Sequence, residues 1–185
     1  MPPPELSRVS RLRIVLACTA LVLAAACFLV FDPAEAVIGA AGCAVLAAVT
    51  ATDLERRIVP NRIVVPATVL ALLAQTVRDP GVEWLLACLA AGGLLLLAAL
   101  AYPAGMGMGD VKLAAFLGAW LGWDVFAALF VAILAALIPA VVILAKHGRA
   151  GRKMGIPFAP FLALGGVVAL FAGGPLLDWY LGLGG

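Results

Sequence analysis

The sequence predicts an all-α polytopic membrane protein with six or seven transmembrane helices, and three observations predict it. Of its 185 residues, 65% are hydrophobic and only 12% are charged, whereas about a quarter of the residues of a soluble domain carry charge. Mean hydropathy is +1.18. Apolar runs long enough to cross a bilayer recur along the chain, too many to be hidden in one small soluble core. The expected surroundings are membrane lipid, and no nucleic-acid partner is expected.

The first run, 13–31, follows Arg8, Arg11 and Arg13. It is long, and "FLVFDPAEA" makes a poor cleavage site, so it reads as a retained helix rather than a signal peptide. Residues 1–12 are then a short cytoplasmic N-terminal segment, with Pro2 to Pro4 a stiff start, and residues 13–185 form one membrane-embedded domain. Runs at 36–52, 63–77, 84–102, 125–145 and 158–180 supply five more helices. A shorter run at 111–123 would rise only about 20 Å as a helix, so it either crosses a thinned region or enters as a partial helix.

Charge placement favours seven crossings. With the N-terminus inside and every run crossing, the inner boundaries collect Arg8, Arg11, Arg13, Arg56, Arg57, Arg62, Lys112, Lys146, Arg149, Arg152 and Lys153, as cytoplasmic loops do. The outer boundaries collect Asp32, Glu35, Asp79, Glu83, Asp124 and Asp178, with Arg78 as the single outer base. Cys18, Cys27, Cys43 and Cys88 lie in apolar runs without CxxC spacing, so packed, reduced thiols are expected. Trp84, Trp120, Trp123, Trp179 and Tyr180 fall near run ends, where amphipathic rings anchor helices at the interface. The small-residue runs "AAGCAVLAAVTA" and "LAAGG" suit close helix packing.

Carboxylates at the edge of apolar helices are functional candidates because burying charge in lipid is costly. Asp53 ends "LAAVTATD" and Asp110 closes "GMGMGD", and the topology places both at the same cytoplasmic face. Each has a structural reading as well: Asp53 as a boundary residue balanced by Arg56 and Arg57, Asp110 as a cap for a helix starting at Val111. A cap does not require Gly105, Gly107 and Gly109 at alternate positions before it. Those glycines free the backbone to break helix at membrane depth and let an extended substrate approach.

Three segments in order, "TDLERRIVPN", "GMGMGDVKLAAFLGAWLG" and "IPFAPFLALGG", resemble the signature segments of the type IV prepilin peptidases, members of the GxGD intramembrane aspartic proteases. The resemblance covers roughly residues 40 to 170. It implies a GxGD aspartic protease fold, Asp53 and Asp110 as catalytic aspartates, and Gly107 and Gly109 as the glycines of the GxGD element. Pro60, Asn61, Lys112, Pro157, Phe158 and Pro160 match the pattern as substrate-binding or supporting positions, while Val59 and Ala159 replace the more usual isoleucine and glycine. The implied substrates are prepilin or pseudopilin precursors, each with a basic cytoplasmic leader, a small residue before the cut and an apolar helix after it. The implied location is the bacterial cytoplasmic (inner) membrane. Larger members carry an N-terminal cytoplasmic domain with paired CxxC motifs and also methylate the product. Only a short head is expected here, which resembles the compact, peptidase-only branch.

An aspartic dyad needs no cofactor and no metal. One carboxylate takes a proton from the attacking water while its protonated partner donates to the scissile carbonyl oxygen, and like-charge repulsion leaves one proton shared by the pair. The single histidine, His147 in the basic loop "AKHGRAGRK", reads as solvated, and no GxSxG nucleophile elbow is present. The alternative from another class is a small proton- or cation-coupled transporter using the same aspartates. It would place them near the midplane between repeated halves, whereas both fall at one face and no repeat is evident.

Overall fold

The computed structural model describes residues 4–102, 107–148 and 157–181. They form α1 (Pro4–Val30), α2 (Pro33–Arg56), α3 (Asn61–Arg78), α4 (Glu83–Ala101), α5 (Met108–Leu121), α6 (Val125–His147) and α7 (Ala159–Leu181), with one 3-10 turn, Gly122–Asp124, between α5 and α6. Among the described residues no strand occurs. Four stretches are long and apolar enough to cross a membrane: Val9–Val30, Pro33–Arg56, Glu83–Ala101 and Met108–Lys146, the last containing both α5 and α6. The chain is an all-helical polytopic membrane protein.

Local chemistry sets the helix boundaries. Pro33 sits in the first turn of α2, where a missing N–H costs nothing. At the other end of α2, Arg57 adopts the left-handed region at φ 53° and its N–H caps the Asp53 carbonyl at 2.8 Å. α3 starts behind Pro60, whose carbonyl accepts the N–H groups of Ile63 and Val64. α7 starts behind Phe158, whose carbonyl accepts those of Phe161 and Leu162, with Pro160 in its first turn.

α5 explains how a fourteen-residue helix serves in a bilayer-sized bundle. It packs against α3, α4, α6 and α7, and Val111, Leu113, Ala114, Phe116, Leu117, Gly118, Ala119 and Trp120 are all buried. Because neighbouring helices rather than lipid surround it, its length need not match the hydrocarbon thickness. Small residues permit this centre. A Cβ added at Gly118 would collide with the backbone of Ala87 on α4, one at Gly165 with the backbone of Ala128, and one at Gly92 would lie 3.0 Å from the Ala115 Cβ. Side chains on the lipid side are large and apolar, among them Leu21, Leu29, Leu70, Val77, Leu97 and Ile138. α1 is the most peripheral helix and packs on α2.

Two aromatic and thiol expectations are corrected. Trp120 is 2% exposed and is a core residue, not an interfacial anchor: its ring lies where a Gly42 side chain would be, and its Nε1 donates to the Ile38 carbonyl at 3.1 Å. Trp123, by contrast, is exposed. Cys27, Cys43 and Cys88 are buried free thiols, but Cys18 is exposed on α1, because the helix buries only the narrow face it turns to α2. Trp179, Tyr180 and His147 have side chains outside the described residues.

Cross-helix ion pairs respect the charge sorting. Arg13 of α1 binds Glu55 of α2 through two parallel hydrogen bonds of 2.7 Å, next to Arg56, which was expected at the same face as Arg13. Arg78 pairs with Glu35 at 2.6 Å, joining two groups expected at the other.

Candidate active site

Three chain segments, two of them consecutive, meet at one end of the bundle. The first is the C-terminal turn of α2, which carries Asp53. That residue is 6% exposed, its carboxylate accepts the backbone N–H of Ala159 and lies within reach of the Arg57 charge, and its Oδ2 is buried with no hydrogen-bond partner. Ala159 is the first residue of α7, so its N–H is one of the donors left over at a helix N-terminus. A carboxylate there is favoured both by the free N–H groups and by the helix dipole.

The second segment is the N-terminus of α5. The helix begins at Met108, with Gly107 in extended backbone as its cap, so Asp110 stands within the first turn rather than ahead of a helix starting at Val111. From that position the half-buried Asp110 carboxylate faces back toward the N–H of Gly107, while the Asp110 N–H donates to the Gly107 carbonyl at 3.1 Å. A carboxylate so placed lies over the free N–H groups at the start of α5, where negative charge is favoured. A capping place for Asp110 does not exclude a catalytic one, because its carboxyl also faces the charge of Asp53 across the gap between α2 and α5.

The third segment is the α2–α3 connection. Val59 presses on Gly109, where an added Cβ would lie 2.7 Å from the Val59 Cβ. Gly109 is thus glycine for close approach, whereas a Cβ at Gly107 would meet only the Asp110 Oδ2 at an ordinary 3.6 Å. Beside this contact the Lys112 Nζ donates to the Asn61 Oδ1 at 2.8 Å, tying the start of α5 to the start of α3. Pro60 stands between Val59 and Asn61 as the cap of α3. Pro157 and Phe158 lead into Ala159, and Pro160 follows it. Pro60, Asn61, Lys112, Pro157, Phe158 and Pro160 thus lie in the chain segments that carry or adjoin the two carboxylates; Gly105 lies outside the described residues.

The sequence reading noted Val59 and Ala159 only as substitutions and gave neither a role. The signal for Ala159 was the proline two places into "FAP", which marks a helix start and hence free N–H groups. Among the described residues no group of three or more His, Cys, Asp or Glu gathers around a point; the acidic groups of this site are the two aspartates.

Residues 40–144 match the model of the type IV leader peptidase family. The chain belongs to the type IV leader peptidase family. The family match takes in both aspartates, the α2–α3 connection and all of α5. Individual relatives agree: a prepilin leader peptidase/N-methyltransferase of Burkholderia pseudomallei (strain 1026b) is 36% identical over 177 residues, covering 88% of this chain and 54% of that protein. Proteins of the same name from Aeromonas salmonicida (strain A449) and Bacillus subtilis (strain 168) are each 34% identical, covering 74% and 72% of this chain. The chain spans 50% and 54% of those two relatives, about half their length. No solved structure is a significant match.

Proposed function

We propose that this protein is an aspartic endopeptidase that removes the basic leader from type IV pilin-like precursors, with Asp53 and Asp110 as its catalytic dyad. The observation that carries the reading is the convergence of these two carboxylates, from α2 and α5, at one end of the bundle, where the charge of one acts on the other. Two such groups share a proton, so one takes the proton of the attacking water and the other donates to the scissile carbonyl oxygen. The Ala159 N–H at the start of α7 holds the Asp53 carboxylate and the start of α5 faces that of Asp110, and the proposed mechanism uses no metal.

The proposed setting is the bacterial inner membrane with the N-terminus and the dyad on the cytoplasmic side. Supporting this are Arg13, Arg56, Arg57, Arg62 and Lys112 at the dyad end and Asp32, Glu35, Asp79, Glu83 and Asp124 at the other, the distribution that the positive-inside rule associates with that orientation. A dyad at this level meets the junction between leader and apolar helix of a precursor without unwinding the helix deep in lipid. The proposed partners are prepilin or pseudopilin precursors together with membrane lipid. The relatives' names include N-methyltransferase; peptidase activity alone is proposed here.

The test is co-expression with a pilin-like precursor, followed by N-terminal sequencing and intact mass of the membrane-bound product. The expected product begins one residue after the small residue that ends the leader and has the unmethylated mass. An uncut precursor in membranes containing normal levels of the protein would contradict the proposal.

A further inference from the structure

The chain leaves α2 through a residue whose backbone would suit glycine better. Arg57 stands at φ 53° and ψ 41°, and among the described residues it is the one non-glycine residue with positive φ. A side chain in this left-handed region is crowded by its own backbone, a cost that glycine avoids. The turn itself serves the fold: the Arg57 N–H caps the Asp53 carbonyl at 2.8 Å, and two residues later Val59 reaches Gly109. Glycine would make the same turn, so the arginine side chain calls for a reason of its own.

The charges at this end of the bundle supply one. Arg13 is held by Glu55 at 2.7 Å, Arg56 also acts on Glu55, and Lys112 is held by Asn61. The charge of Arg57 acts instead on Asp53, whose carboxylate also accepts the Ala159 N–H from α7. From α5, Asp110 faces the charge of Asp53 and the N–H of Gly107. A pair that holds one proton keeps its negative charge on the carboxylate that the surroundings favour. Both carboxyls have a backbone N–H beside them, and Asp53 has a cation as well.

We propose that Arg57 is a positioning residue for the peptidase reaction: its charge keeps Asp53 ionised as the base, which leaves the proton of the pair on Asp110 as the acid. The water then gives a proton to Asp53 as its oxygen bonds to the scissile carbon, and Asp110 gives its proton to the carbonyl oxygen. The pair holds one proton before and after the step. This inference rests on the dyad reading and gives the dyad a direction.

The test compares two variants of the whole protein on a pilin-like precursor. Arg57→Gly keeps the turn and removes the charge, whereas Arg57→Lys keeps the charge and the backbone cost. Arg57→Gly is expected to unfold at or above the wild-type midpoint and to lower kcat about fivefold at unchanged KM, the effect of one partly screened charge. Arg57→Lys is expected to stay within about twofold of the wild-type kcat. If glycine loosens the turn, Arg57→Asn, which also tolerates the left-handed region, replaces it as the uncharged variant. A wild-type kcat in the uncharged variant, or a lysine variant as slow as it, overturns the proposal. So does a raised KM at unchanged kcat, which would put Arg57 on the substrate. Asp53→Asn and Asp110→Asn, run alongside, keep the two readings apart: if they still cut, the dyad itself fails, and if they are inactive while Arg57→Gly cuts at the wild-type rate, the role of Arg57 alone fails.

Discussion

The two ends of α5 are built for opposite purposes. At its C-terminal end Trp120 is locked in place: the ring fills the space opposite Gly42, its Nε1 binds the Ile38 carbonyl and its own carbonyl takes the Gln75 amide. At its N-terminal end Asp110 is only half-buried, Gly107 and Met108 are exposed, and the helix is held by one cap, one side-chain hydrogen bond and the contact of Gly109 with Val59. A rigid far end leaves the near end of the helix accessible while the Asp110 carboxyl stays in place. Packing carries stability at one end, and a few polar contacts carry geometry at the other.

Substitutions at each end separate the two roles. Gly42→Leu drives a side chain into the Trp120 indole and should cost about 3 kcal/mol, read as a lower unfolding midpoint and reduced membrane levels. Gly93→Leu, where nothing lies within 4 Å, should leave both unchanged. At the dyad end Gly109→Ala meets Val59, so it should slow cleavage by on the order of tenfold to a hundredfold through misplacement of Asp110, with membrane levels maintained. Val59→Gly in the same chain should restore part of the rate, and a Gly109→Ala protein of normal activity would contradict the contact.

Lys112→Met removes the hydrogen bond to Asn61. It should slow cleavage about fivefold, the worth of one ordinary hydrogen bond. Adding Asn61→Leu to Lys112→Met should slow it no further, since both remove the same bond. The smallest effect belongs to Arg13→Ala. Arg13 is largely exposed in its pair with Glu55, and exposed pairs contribute little, so the unfolding midpoint should move by less than about 1 °C.

Hydropathy and charge made the seven helices legible, because lipid imposes a long apolar run on each span and collects charge at the ends. The same signal could not say that Trp120 is a core residue, since a tryptophan near a run end looks alike whether lipid or Gly42 faces it. It also placed the start of α5 after Asp110, because the polar cap and the catalytic candidate are one residue and Met108 and Gly109 carry no helical period. Asp53 and Asp110 were legible as carboxylates where carboxylates are costly. The Ala159 N–H that holds Asp53 was not, since a backbone donor has no side-chain signature and its place depends on how α7 packs against α2.

The central claim is that one carboxylate from each of α2 and α5 forms a working pair. Its most direct test is cleavage of a precursor by the wild type, Asp53→Asn and Asp110→Asn at equal membrane levels, scored by N-terminal sequencing. Each variant should lose about 10²-fold to 10⁴-fold in rate, and the double variant should be no slower than the worse single one, as for groups that act as a unit. Leader removal at the wild-type rate by either variant would show that its aspartate is structural and would contradict the account.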